Sequence, residues 1–515
     1  VRSSWRIVGS AVLIISVVAA IGLYYYADRL VEQRLRPATV ELLERRFNSK
    51  VELASMRVAF TRNLSVRGEG LTLRHEGRTD IPPLISIRVF TVEAGLRDLW
   101  ARRVDRVHLE GLEIMIPPRR GKDMPALVQP AGERDDRDSE DDVHIGELVA
   151  ENSLLTIMSK QDDKGPRVIQ IRRLRFDGFE FSKAIPFEAA VTNPTPHGEI
   201  ATVGAFGPWN AEAPSLTPID GTFLFDADLG TIKGIGGALH AEGNFNGPLE
   251  LIRTSGRTRT EGFHLSSGGA KFLLLVDYDA VVDGTNGDTI LERVDARLGP
   301  SRISASGAIV KVEGAKGRRI TLDTKTQGGR LQDFVKLATR VQSSPLTGIV
   351  NTRARIDIPP GEADVGDRMS INGTFDVGRA QFTSQTIQDR VDELARRGVG
   401  RPDDETIDDV VSNFRGSFSL DNGRLHLKPL TFSVEGANVR LTGHYDTAKE
   451  RLDFQGELRL QAKASQTQTG WKRFVLKIFD PMLDGPSAGT VLPISITGPR
   501  DQPKFSADLK KAILK

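Results

Sequence analysis

Eight histidines, 68 acidic residues and no cysteine bound the chemistry open to this 515-residue chain. The histidines (His75, His108, His144, His197, His240, His264, His426 and His444) are scattered, with no pair at the short helical or strand spacing that builds a zinc site. Absence of cysteine excludes disulfides, thiolate metal sites and a cysteine nucleophile, and leaves the compartment open. No nucleophile elbow, Walker loop or dinucleotide fingerprint occurs, and GIGGAL (Gly234 to Leu239) shares only its glycines with a phosphate loop. A glycosidase pair, two acids ~5 to 9.5 Å apart, could come from anywhere in the chain. With four Trp and five Tyr, three of them at 24–26, the aromatic platforms of a sugar cleft are scarce. The run GERDDRDSEDD (Gly132 to Asp142) has seven acids in eleven residues and reads as a solvated loop. Calcium is the alternative, although the run lacks the ligand spacing and fixed glycine of an EF-hand. The residues therefore assign no catalytic, metal or cofactor position, and the chain reads as non-enzymatic.

Charge excludes another class. Lys plus Arg (70) nearly cancel Asp plus Glu (68), so no global field marks a nucleic-acid binder. The length suits two to four domains or one elongated architecture. Fifty glycines with 6% aromatics fit many short strands joined by turns. From Ile7 to Tyr26, 20 consecutive residues carry no formal charge, which as a helix cross ~30 Å of hydrocarbon. Arg2, Trp5 and Arg6 stand before this expected span, and Tyr24, Tyr25 and Tyr26 form an aromatic anchor at its other end. A cleaved signal peptide is the rival reading. Arginines after the span (Arg29, Arg34, Arg36, Arg45, Arg46) argue against export, but long domains translocate largely regardless of flanking charge. A large C-terminal part outside the cytoplasm is the expectation.

The elements follow from periodicity. A juxtamembrane helix is expected from Ala27 to about Asn48, with Pro37 as a kink or break. Period-two alternation then takes over, in VRGEGLTL (Val66 to Leu73), VHLEGLEIMI (Val107 to Ile116) and LRFDGFEF (Leu174 to Phe181). The mid-run glycine in each predicts a bulge or strong twist. A second echo, NGTFDVGRAQF (Asn372 to Phe382) and RGSFSLDNGRLHL (Arg415 to Leu427), shares an opening G-[ST]-F and a later G-R. The clearest alternation lies between Phe418 and Leu460, placing Leu425, Leu427, Phe432, Val434, Val439 and Leu441 on one apolar face. Helical patterns are few: Leu331 to Val341, Gln385 to Arg396 and Gly470 to Leu483. The last puts Trp471, Val475, Ile478, Phe479 and Met482 broadly on one face, to pack on its own domain, cap the sheet or lie on a membrane. Three helices cannot cover ~25 one-faced strands, so that face packs on a second sheet or holds lipid. Periodicity cannot separate the two.

The order of span, RPATVELLERRF helix and alternating segments ending in VDRVHLEGLEIMIP resembles the AsmA-like proteins of the Gram-negative envelope. FRGSFSLDNGRLHLKPLTFSVEGANVRLTGHYD and GTVLPISITGPRDQPKF (Gly489 to Phe505) are similar to that family's C-terminal region. The resemblance covers roughly Trp5 to Ile116 and Ser384 to Lys515, and carries no catalytic residue. It implies a mainly β fold: an N-terminal transmembrane helix, then an elongated, twisted, mostly antiparallel β-sheet groove with a few capping helices. On this plan the chain divides into an anchor (1–27), an N-terminal chorein-like β region (28–131), the acidic loop (132–142), a middle β region (143–383) and a C-terminal region (384–515). At ~4.8 Å per strand, ~25 strands reach about 120 Å before twist.

The implied function is an inner-membrane-anchored periplasmic protein that binds or conducts lipid, phospholipid above all, between inner and outer membrane, with no cofactor and no nucleic acid. An assembly factor or scaffold for outer-membrane proteins is a second reading, because a long β edge can add a partner's strand. A membrane-tethered envelope hydrolase is a third. If the face is a water-accessible groove, Leu427→Asp and Val439→Asp should leave the fold standing and cut lipid transfer; in a closed core both should unfold the domain.

Overall fold

In a computed structural model of the chain, the described residues are 49–461, apart from 117–143, 158–166 and short stretches of connecting loop, together with 490–507 apart from 501 and single residues between 36 and 44. The expected span (7–26), the acidic loop (132–142) and the helix expected at 470–483 lie outside them. Among the described residues no helix is long and apolar enough to cross a membrane. Of the juxtamembrane helix, Arg36, Pro37, Val40, Glu41 and Glu44 are helical. The Nε of Arg36 donates to the carbonyl of Leu53 at 2.8 Å, and Glu44 Oε1 accepts the backbone N–H of Val51 at 3.1 Å.

The fold is mainly β and mostly antiparallel, with 23 described strands. Two compact units divide it. The first comprises the described residues up to Asp228 with His240–Gly256 and Val281–Gly287; the second comprises Leu229–Leu239, Arg257–Ala280 and the residues from Asp288 onward.

In the first unit, β1 (Ser49–Phe60), β2 (Leu64–His75), β3 (Ile85–Ala94) and β4 (Arg103–Ile116) pair antiparallel in chain order. β5 (His144–Ile157) then joins β4 in parallel. Antiparallel order resumes through β6 (Arg167–Phe179), β7 (Ile185–Pro194), β8 (His197–Phe206) and β9 (Pro218–Asp228). Alternate residues of β1 to β6 build one apolar core in which Leu64, Val66, Phe90, Val107 and Leu109 are at most 2% exposed. Val58, Ile114 and Leu174 are half-buried at the edge of this core. Along β9 the pattern changes: Ile219, Phe223 and Phe225 alternate half-buried with exposed Asp220, Leu224 and Asp226.

The mid-run glycines leave their strands unbroken, with no register shift at any of the three. Gly70, Gly111 and Gly178 all take left-handed φ, of 65°, 66° and 68°, which costs a side-chain-bearing residue about 1 kcal/mol or more. Gly70 and Gly111 both fall opposite Arg88, and Asn152, at φ 50°, stands abreast of Gly111. On this row the buried positions change parity in every strand, from Ile85 and Ile87 to Phe90 and Val92, and from Leu71 and Leu73 to Val66 and Leu64. Opposed residues share a face, so a left-handed residue that shifts one strand's phase forces its neighbours to shift on the same row. A crease crosses the sheet while the apolar face stays continuous.

In the second unit the strands with described registers are β13 (Thr289–Leu298), β14 (Ser301–Lys311), β15 (Arg318–Arg330), β16 (Leu346–Ile358), β17 (Ser370–Phe382), β18 (Ser412–Asp421), β19 (Arg424–Val434), β20 (Ala437–Asp446), β21 (Arg451–Leu460), β22 (Thr490–Pro499) and β23 (Lys504–Ala507). Each is antiparallel to the next. (β10 (Ile235–Pro248), β11 (Ile252–Leu265) and β12 (Phe272–Val282) divide between the units.) Two of the expected helices are present, α1 (Leu331–Ala338) and α3 (Gln385–Gly398), with a single turn α2 (Val365–Arg368) between them.

Candidate apolar binding face

The second unit carries an uncharged row that can be read pair by pair across eleven strands. Val294 opposes Ala305, which opposes Thr324, and the row continues through Ala354, Gly373, Phe418, Leu427, Gly443, Phe454 and Ile496 to Phe505. No member bears a charge. A second row runs through Ala296, Ile303, Thr326, Thr352, Phe375, Gly416, Leu430, Leu441, Gly456 and Ile494, and is equally uncharged. A third contains Leu291, Gly307, Leu322, Ile356, Ile371, Leu420, Leu425, Tyr445 and Leu452. At ~4.8 Å per strand, eleven strands carry this face about 50 Å across the ladder.

The opposite face is polar and knit by ion pairs. Arg319 donates through two nitrogens to Asp357, each at 2.7 Å, and Arg415 meets Asp376 at 2.7 Å across the strands. The guanidinium of Arg319 holds the Asp357 carboxyl below the usual carboxylate range, chiefly through that hydrogen bond. In the first unit Arg106 does the same to Glu147. On the apolar face, burial pushes the Tyr445 phenol above its ordinary value, as expected where solvation is poor.

Glycine and phenylalanine shape the floor reciprocally. Gly373-Thr374-Phe375 on β17 runs antiparallel to Gly416-Ser417-Phe418 on β18, so that Gly373 opposes Phe418 and Phe375 opposes Gly416. A Cβ on Gly373 would meet the Phe418 ring at 2.9 Å, and one on Gly416 the Phe375 ring at 3.2 Å. Each ring lies over the other strand's glycine, with ring centres 6.2 Å apart. The first unit repeats the device with Gly221-Thr222-Phe223 and Gly243-Asn244-Phe245, where Gly221 lies beneath Phe245 and Gly243 beneath Phe223. The G-[ST]-F echo of the sequence is this interlock, and the pair at 221 and 243 is the part that sequence reading missed.

One margin of the face is covered. α3 sets Val391 against Phe432, Val439, Leu441 and Phe454, and α1 sets Leu331 and Phe334 against Val350, Val377 and Ala380. The helix α3 is held by Asp392, 1% exposed, which accepts the side chain of Gln388 (2.9 Å) and the backbone N–H groups of Asp409 (3.2 Å) and Val410 (3.0 Å). Away from that margin the floor of β13 to β18 is half-buried: Val294, Ala305, Thr324, Ala354 and Phe418 are neither sealed nor fully exposed.

The six sequence-derived residues of β19 and β20 lie on this one face, but in different settings. Phe432, Val439 and Leu441 are buried beneath α3, Leu427 and Val434 are partly buried against them, and Leu425 is half-buried in the third row. Trp471, Val475, Ile478, Phe479 and Met482 lie outside the described residues. Sequence reading missed the extension of the face over β13 to β17, because its Ala, Thr and Gly residues carry little hydrophobic signal. Among the described residues no group of three or more His, Cys, Asp or Glu is gathered that could hold a metal ion. No family model, curated protein or solved structure matches the chain.

Proposed function

We propose that this chain is a non-catalytic, membrane-anchored envelope protein whose second unit binds or conducts lipid along the uncharged face of β13 to β22. The observation that carries the reading is the unbroken row from Val294 to Ile496: ten opposed positions without a charge, of which only Phe454 is buried. A monomeric soluble protein rarely leaves so extended an apolar surface without an occupant. Acyl chains laid across the strands would complete its burial, while the polar opposite face stays in water. The uncharged stretch 7–26 and the resemblance to AsmA-like proteins support an inner-membrane anchor and a periplasmic location, with phospholipid moving between inner and outer membrane.

The test is lipid recovery from the full chain. Isolated in mild detergent and examined by native mass spectrometry, it should retain lipid, and Ala354→Asp should lose most of it with an unchanged circular dichroism spectrum. A chain that keeps its lipid after Ala354→Asp and Thr324→Asp together would overturn the reading.

One observation favours a second reading, a scaffold that pairs with a partner strand. β23 pairs with only Ile494 to Thr497 of β22, so among the described residues Thr490 to Pro493 have no partner on that side. Crosslinks from Val491 to an outer-membrane protein, without lipid adducts from the apolar row, would favour it.

A further inference from the structure

We propose that His426 and His444 form a two-imidazole site for a borderline divalent transition ion, zinc above all, on the outward face of β19 and β20. Eighteen positions apart in sequence, the two are directly opposed in the antiparallel register. Directly opposed residues hold their Cβ atoms about 4.5–5.5 Å apart on one face. The ring centres lie 5.5 Å apart at 37°, and both side chains are half-buried. Neither imidazole has a hydrogen-bond partner among the described residues, in contrast to His240, which is bound to Asp226 at 2.6 Å. Their nitrogens are therefore uncommitted.

The surroundings suit a cation. Ser419 and Asp453 continue the row on either side of the pair, and Asp453 has no ion pair among the described residues. Of the outward neighbours on β19, Arg424 is engaged by Asp446 at 3.6 Å and Lys428 is exposed. Imidazole nitrogens bind zinc at about 2.0–2.1 Å, so a tetrahedral ion needs them roughly 3.3 Å apart, within reach of rotation about two side chains whose rings already touch. No third protein ligand is gathered among the described residues, so water completes the shell and the ion is exchangeable. The site faces away from the apolar row and is independent of the lipid reading.

Titrating the full chain with zinc chloride by isothermal calorimetry tests it. His426→Gln and His444→Gln should each weaken binding about a hundredfold, because a chelate loses its effective concentration when either arm goes, and the double variant, which loses the remaining imidazole as well, should bind more weakly than either single. His240→Gln should bind as the parent does. Copper(II) should broaden the imidazole NMR signals of His426 and His444 in the parent, a readout that needs no variant to fold. Parent-like binding by both single variants, or broadening that spares these two rings, would overturn the proposal.

Discussion

Val439 and Leu427 share a face and differ in what covers them, and charge placed at each should separate the two environments. Val439 is 5% exposed beneath α3, so Val439→Asp should destabilise the second unit by about 3 kcal/mol or more, as an unpaired buried carboxylate does. Helix cover makes Val439 a core position, so the two substitutions do not share one outcome, as either an open groove or a closed core throughout would require. At half-buried Leu427 water can reach the new carboxylate, and Leu427→Asp should cost about 1 kcal/mol; urea denaturation of the two variants measures the difference. In the first unit, Arg106 and Arg175 contact Glu147 at 2.5 and 2.8 Å and hold its carboxyl below the ordinary value of 4.5. The folded state thus releases this proton more readily than the unfolded one. Its stabilisation is present above pH 4.5 and is lost as pH falls through the lowered value. The stability gap between the parent and Glu147→Gln should accordingly be constant near neutrality and close in acid, as thermal unfolding at stepped pH would record. Leu425, Phe432 and Val439 were legible because they alternate with His, Ser and Arg; Ala305, Thr324 and Ala354 were not, since small and hydroxylated residues read alike on either face.

At the scale of elements, α1 and α3 were legible within three residues, because their apolar spacing departs from the period-two pattern around them. What no periodicity contains is register: it sets Gly373 against Phe418, His426 against His444, and β5 parallel to β4. The glycine–phenylalanine interlock has a direct consequence. A Cβ on Gly416 would stand 2.3 Å from the carbonyl oxygen of Pro429, so Gly416→Ala should cost about 1–3 kcal/mol through overpacking, whereas half-buried Ser417 on the opposite face should accept alanine within about 0.5 kcal/mol. Asp392 ties α3 to the segment before β18. Its replacement by alanine strands two backbone donors, which at about 1–3 kcal/mol each should loosen the helix, and hydrogen exchange of Asp409 and Val410 should rise ahead of global unfolding.

For the whole molecule, the first unit's inner face has a buried centre, with Val58, Ile114 and Leu174 half-buried at its edge, whereas the second unit's floor from β13 to β18 is half-buried and uncharged. A closed core and a lipid-bearing face both give alternating sequences, which is why the choice could not be made from periodicity. The central claim is that lipid occupies the half-buried floor. A photoreactive amino acid scanned along β16 in living cells tests it most directly, since neighbouring positions differ only in the face they present. Thr352, Ala354 and Ile356 should yield lipid adducts by mass spectrometry, while Asn351, Arg353 and Arg355 should yield none. Adducts without this period of two, or none from any of the six positions in a folded chain, would contradict the account.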